Sequence, residues 1–236
     1  LEKAASSRLF LCARTNHKLL LVQWPGSHYN TAVNQFNPKE YILVGLVASL
    51  STLVMIFAPT SIELLRYESL SVSQGEWWRL FTANFTHSSW NHWMLNFAGL
   101  LLIDYLFQPL IKQAQRAALL LFSMALNVFL LHLTMNLSWY VGLSGALHGF
   151  LVGAALLSFS RARLFNGLII LVVSAKLALE LSSEINQGTA SFIGANVVEE
   201  AHLAGAISGV VYLLLLKTGG WSRSHWIART NKKAHH

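Results

Sequence analysis

The chain has 236 residues, 54% of them hydrophobic and only 11% charged, where a soluble domain of this size carries about a quarter charged residues. The apolar residues fall in runs long enough to cross a bilayer, so the composition is that of an integral membrane protein, and no second globular domain is expected beside the bundle. A formal charge of +7 does not point to nucleic acid, because the Lys and Arg residues sit in short loops and tails between the apolar runs. The single cysteine, Cys12, excludes an intramolecular disulfide and any Cys-based metal site.

Residues 1–38 are polar and irregular, contain Pro25 and Gly26, and read as a partly disordered cytoplasmic tail. The first strongly apolar run begins only near Tyr41, so no cleavable signal peptide is expected. Six apolar segments follow, at 41–58, 91–107, 117–135, 144–159, 164–181 and 200–216. Several are shorter than the ~20 residues of a simple spanning helix, which fits a site opened to water from one side. The predicted fold is an all-α bundle of six transmembrane helices over 39–217, followed by a basic tail over 218–236. Trp221 and Trp226 in that tail suit the membrane interface.

Charge sets the orientation. Lys3, Arg8, Arg14, Lys18 and Lys39 precede the first segment, and Lys112 and Arg116 separate the second from the third. Arg161 and Arg163 separate the fourth from the fifth, while Lys217, Arg223, Arg229, Lys232 and Lys233 follow the sixth. This puts 14 of the 17 Lys and Arg on one side, which the positive-inside rule makes cytoplasmic together with both termini. The opposite loops carry Glu63, Glu68, Glu76, Glu184, Glu199 and Glu200, against only Arg66 and Arg79.

Ser144 stands in Gly142-Leu143-Ser144-Gly145, at the non-cytoplasmic mouth of the fourth segment. Flanking glycines permit a tight turn, and a helix start supplies unpaired N–H groups that favour a developing oxyanion. Alone this string is weak, since small residues also serve helix packing in membranes. His202 strengthens it. It lies near the outer end of the sixth segment at the depth of Ser144, beside a Gly205-x-x-x-Gly209 face that allows close backbone approach. Such a pair can activate a hydroxyl near neutral pH.

The second segment adds His87, His92 and Asn96. His92 and Asn96 are four residues apart on one helical face, where their N–H groups can complete an oxyanion hole with the Ser144 N–H. For each residue singly, satisfied polar packing is the competing reading. Together, five such groups at one depth favour chemistry.

These strings, taken together and in order over about 41–216, resemble the rhomboid protease family. Glu76-Trp77-Trp78-Arg79-Leu80 is similar to its Trp-Arg loop motif, His87, His92 and Asn96 to its second-helix pattern, and Ala201-His202-x-x-Gly205 to its sixth-helix motif. The resemblance implies an intramembrane serine endopeptidase that needs no cofactor and acts on transmembrane protein substrates in contact with membrane lipid. It implies a catalytic dyad of Ser144 and His202 with no acidic third member. His92 and Asn96 would assist the oxyanion, His87 would be a structural neighbour, and Arg79 would hold a membrane-embedded loop.

One position departs from the family. Where many members carry a tyrosine that stacks on the catalytic imidazole, this chain has His148. The string Gly142-Leu143-Ser144-Gly145-Ala146-Leu147-His148-Gly149 and the compact core resemble the rhombosortase branch. That likeness implies a bacterial inner-membrane enzyme whose site faces the periplasm, processing proteins that end in Gly-Gly, a transmembrane helix and a basic cluster.

Other polar residues read as structural: His132 and Asp104 as packed or interfacial groups, and Lys176 and Glu180, one helical turn apart, as a pair. A metalloenzyme built from His87, His92, His132, His148 and His202 is the alternative from another class, with no His-Glu-x-x-His string to support it. A helix-capturing pseudoprotease would lack a nucleophile or base, and both are present. A transporter would show paired broken helices, which the two halves do not.

Overall fold

The computed structural model describes residues 38–182 and 187–218. The expected tails therefore lie outside the described residues but for Pro38 and Thr218, as does Glu184. A 3-10 turn, Pro38–Tyr41, leads into α1 (Ile42–Ile56). Short elements follow: α2 (Thr60–Leu65), β1 (Tyr67–Glu68), α3 (Ser69–Ser73), α4 (Arg79–Thr82) and a 3-10 turn, Ala83–Phe85. Then come α5 (Trp90–Phe107), α6 (Gln113–Thr134), β2 (Trp139–Tyr140), α7 (Ser144–Leu157), α8 (Arg163–Ser182), α9 (Gln187–Ile193) and α10 (Glu199–Thr218). Each of the six apolar segments coincides with one long helix.

Four of these stretches are long and apolar enough to cross a membrane: Pro38–Ile56, Gln113–Thr134, Arg163–Leu181 and Glu199–Thr218. The other two fall short for different physical reasons. α7 has only 14 residues. α5 is long enough but carries His92, Asn96 and Asp104, all buried inward, while Trp90, Met94, Leu102 and Tyr105 face out. Polar groups turned inward and apolar groups turned outward are what a lipid environment demands. α1 and α8 are clad in the same way, by exposed Ile42, Leu46, Leu50, Leu164, Leu168 and Leu171.

α7 is the centre of the bundle, packed against α10, α6, α8 and α5. Its small residues Gly145, Ala146, Gly149, Gly153, Ala154 and Ala155 are buried, and Phe150 fills the space toward Leu100, Phe107 and Leu119. The segment between α1 and α5 wraps one end of this core without a periodic pattern of its own. Hydrogen bonds hold it instead. Arg79 is buried, donates from Nη1 to the carbonyls of Glu63 (2.8 Å) and Arg66 (2.9 Å), and pairs through Nε with Glu76 at 2.5 Å. Asn84 Nδ2 donates to Phe81 O and Met124 O at 2.9 and 3.0 Å. β1 then pairs antiparallel with β2, Tyr67 opposite Tyr140, which ties this segment to the loop leading into α7.

One charge differs from the sequence expectation. Arg116, counted above as a loop cation, lies in the first turn of α6 and is almost wholly buried. Its Nε donates to Asp104 Oδ1 at 2.7 Å, its Nη1 to the Ile111 carbonyl at 2.8 Å, and its Nη2 meets Glu40 at 3.1 Å. These partners are why α6 starts at Gln113, four residues before the apolar pattern does: a buried, paired arginine belongs to the helix, not to the loop. Asp104 is accordingly a packed ion-pair member.

Candidate active site

The loop before α7 takes its shape from Gly142. Its φ of +118° lies in the left-handed region that side chains rarely adopt, and its N–H donates to the Ala83 carbonyl at 3.1 Å. A Cβ on Gly142 would lie 2.8 Å from Cε1 and 2.9 Å from Nε2 of His92, so the loop backbone rests against that ring. Ser144 follows as the first residue of α7. Its backbone N–H has no acceptor within the helix and lies at the positive end of the helix dipole.

α10 approaches α7 at backbone distance. A Cβ on Gly205 would fall 1.8 Å from the Gly145 carbonyl oxygen, so only glycine fits. His202 stands three residues earlier on α10 and is carried to the serine by the same approach, its Nε2 lying 3.2 Å from Ser144 Oγ. His148, one turn after Ser144, stacks on His202 with centroids 4.3 Å apart and planes 22° from parallel. Its Nδ1–H donates to the Ser144 carbonyl at 2.8 Å, because a carbonyl can only accept.

A carboxylate completes the group. Glu180 on α8 is buried, and its Oε2 is 3.0 Å from His202 Nδ1 while Oε1 bonds Lys176 Nζ. The family resemblance implied no acidic partner for His202, and the spacing of Lys176 and Glu180 suggested only a structural pair. The pair forms, but its carboxylate also meets the imidazole. The available signal was the cost of placing ionisable groups in an apolar segment, which makes them functional by default.

On the opposite wall, Ser89 caps α5 by accepting the His92 N–H at 3.2 Å. The Ser88 N–H donates to His92 Nδ1 at 3.5 Å, with Ser88 Oγ at 3.1 Å, so His92 carries its ring proton on Nε2, the atom facing the Gly142 loop. One turn on, Asn96 Nδ2 is buried with no hydrogen-bond partner among the described residues. His87 stands behind, edge-on to His92 at 5.0 Å, with Nδ1 3.2 Å from Ser51 Oγ. The capping role of Ser89 and the tautomer-setting role of Ser88 were not read from the sequence, although a Ser-Ser pair just ahead of a helix is the usual signature of a cap.

Ser144, His202, His92 and Asn96 line one cavity of about 660 Å³, bounded further by residues 137–141 and 193–198. The end of α9 closes over it, since Ser89 Oγ donates to the Ile193 carbonyl at 2.7 Å and Asn91 Nδ2 to that of Phe192 at 2.9 Å. A hydroxyl bonded to an imidazole, with N–H donors facing the same space, can carry out acyl transfer. The five histidines of the metalloenzyme alternative fall into two ring pairs, His87 with His92 and His148 with His202, and a separate His132. His132 meets Tyr67 at 3.1 Å and Trp77 edge-on, and among the described residues no three His, Cys, Asp or Glu are placed to hold a metal ion.

A family model for the Rhomboid domain matches residues 74–218, more than half of the chain. No curated protein sequence matches it. The chain belongs to the rhomboid family. Members of that family are intramembrane serine proteases acting on transmembrane substrates, and with its apolar helices this chain is an integral membrane protease of that kind.

Proposed function

We propose that this rhomboid uses Ser144 as nucleophile and His202 as general base, and that it is a rhombosortase of a bacterial inner membrane. The 3.2 Å contact between Ser144 Oγ and His202 Nε2, in a cavity that also holds the unpartnered Asn96 amide, carries the first part of this reading. The Gly142–Gly149 string and the stacked His148 support the second.

All six long helices cross the bilayer in this reading, over a core of 39–217, with the 1–38 and 218–236 tails cytoplasmic. Two contacts support the orientation. Gln113 bonds the Lys39 carbonyl and Arg161 bonds that of Leu110, so the basic turns gather at one end. The cavity opens at the other, toward the periplasm, on the side of Glu63, Glu68 and Glu76.

A substrate helix would reach the cavity sideways from the lipid and unwind there. A Gly-Gly pair suits this step, since each glycine destabilises a helix by ~1 kcal/mol relative to alanine. His202 Nε2 takes the Ser144 proton as Oγ attacks the scissile carbonyl. The Ser144 N–H, His92 Nε2–H and Asn96 Nδ2–H receive the oxyanion. Collapse expels the amine, which takes the proton from His202, and a second nucleophile clears the acyl-enzyme. His87 backs His92, His148 holds the plane of the base, Gly142 and Gly145 let the backbones close in, and Arg79 stays with its loop. Asn96→Ala is expected to slow cleavage on the order of 10²-fold without changing helix content, measured by initial rates on a reporter. An unchanged rate would make Asn96 a packing residue.

The test of the whole reading is a secreted reporter ending in Gly-Gly, a transmembrane helix and basic residues, co-expressed with the protein. Mass spectrometry of the released reporter should show a new C-terminus at or beside the Gly-Gly pair. Release elsewhere in the tail would remove the rhombosortase assignment and leave a rhomboid of other specificity. Equal release by the Ser144→Ala protein would remove the nucleophile as well.

A further inference from the structure

Glu180 is more than half of an ion pair. Its side chain is 4% exposed on a largely apolar helix, where an unpaired carboxylate would be costly. Lys176, a turn earlier and 45% exposed, would by itself satisfy one oxygen. The other oxygen is turned inward, 3.0 Å from Nδ1 of His202. Since a carboxylate only accepts, that contact requires a proton on Nδ1. In the neutral ring the lone pair is then on Nε2, facing Ser144 Oγ at 3.2 Å. This is the tautomer a general base must have.

We propose that Glu180 is the third member of this active site, a positioning residue that fixes the tautomer and rotation of His202, and that Lys176 holds Glu180 in place. The inference rests on the reading of Ser144 and His202 as nucleophile and base. Two constraints then act on one ring. Stacking by His148 sets its plane, and the bond to Glu180 sets its rotation within that plane.

During acylation the Ser144 proton moves to Nε2 as Oγ bonds the carbonyl carbon and the C=O electron pair moves onto oxygen. When the C–N bond breaks, the Nε2 proton goes to the leaving amine. Glu180 keeps its negative charge throughout, opposite the positive ring, and takes up no proton.

The experiment uses the full chain in lipid nanodiscs and a fluorophosphonate probe. Labelling reports activation of Ser144 and needs no substrate sequence. Glu180→Gln should lower the saturating labelling rate by about 10²-fold or more, with the half-saturating probe concentration unchanged. Lys176→Met should give a smaller loss of the same kind. With ¹⁵N-labelled histidine, the wild type should show a downfield Nδ1–H resonance that is lost in both Glu180→Gln and His202→Ala.

A labelling rate within about 2-fold of wild type for Glu180→Gln would overturn the proposal, given that removing a carboxylate from such a group costs orders of magnitude. An unprotonated Nδ1 in the wild type would do so as well, and decides the matter if Glu180→Gln fails to fold. Abolished labelling in Ser144→Ala beside an unaffected Glu180→Gln would remove Glu180 and leave the dyad. Retained labelling in Ser144→Ala would bring down the dyad itself.

Discussion

Ser144→Ala is expected to abolish cleavage of a membrane reporter while the protein still accumulates in the membrane. Removing the nucleophile of a serine protease costs on the order of 10⁶-fold in kcat. The change should be mild for the fold, because His202 keeps its bond to Glu180 and Leu143, not Ser144, stands at the cap of α7. His202→Ala should bring a loss of similar size, since Nε2 is the group that can take the proton. It is less innocent structurally. It removes the ring stacked on His148 and leaves Glu180 with Lys176 alone. A detergent unfolding curve must therefore accompany it.

The double variant is the sharper experiment. Groups that act as one unit are strongly non-additive, so Ser144→Ala with His202→Ala should be no slower than either alone. Turnover retained in either single variant, or losses that multiply in the double, would mean that the two residues do not work together. Initial rates by immunoblot against inserted protein give all three numbers on one scale.

The sequence carried the long helices because lipid leaves them little choice. Apolar runs of the required length are visible in any chain, and even α5 could be found, although His92, Asn96 and Asp104 dilute its hydropathy. The catalytic candidates were visible for a related reason. A histidine or asparagine inside such a run is expensive and therefore conspicuous.

What stayed hidden depends on rotation and on long-range hydrogen bonds. Lys176 and Glu180 announce an i,i+4 pair, but α8 has apolar residues all round, so nothing in its pattern says that Glu180 turns toward α10. The elements between α1 and α5 had no periodicity to read. They exist because Arg79 and Asn84 bond distant carbonyls. Arg116 was misplaced for the same kind of reason: its partners, Asp104 and Glu40, lie 12 and 76 positions away.

Gly205→Ala should disable the protein without touching a reactive atom. The new Cβ would sit 1.8 Å from the Gly145 carbonyl oxygen and 2.5 Å from its carbon, both backbone atoms of the first turn of α7. No side chain can swing aside to relieve this, so α7 and α10 must part. Overpacking of this kind costs typically 1–3 kcal/mol, and a clash with rigid backbone belongs at or above the top of that range. The same displacement pulls His202 from Ser144, and an error of ~1 Å in such a contact can cost on the order of 10²-fold in rate.

Gly167→Ala on α8 is the control. It makes the same chemical change where nothing lies within 4 Å of the new Cβ. There, relief of glycine's helix penalty should leave stability equal or higher by up to ~1 kcal/mol. Unfolding midpoints in detergent, paired with fluorophosphonate labelling rates, separate the two effects for each variant. If Gly205→Ala unfolds and labels like the wild type, the two backbones do not meet at this point. The route by which His202 reaches Ser144 would then have to be different.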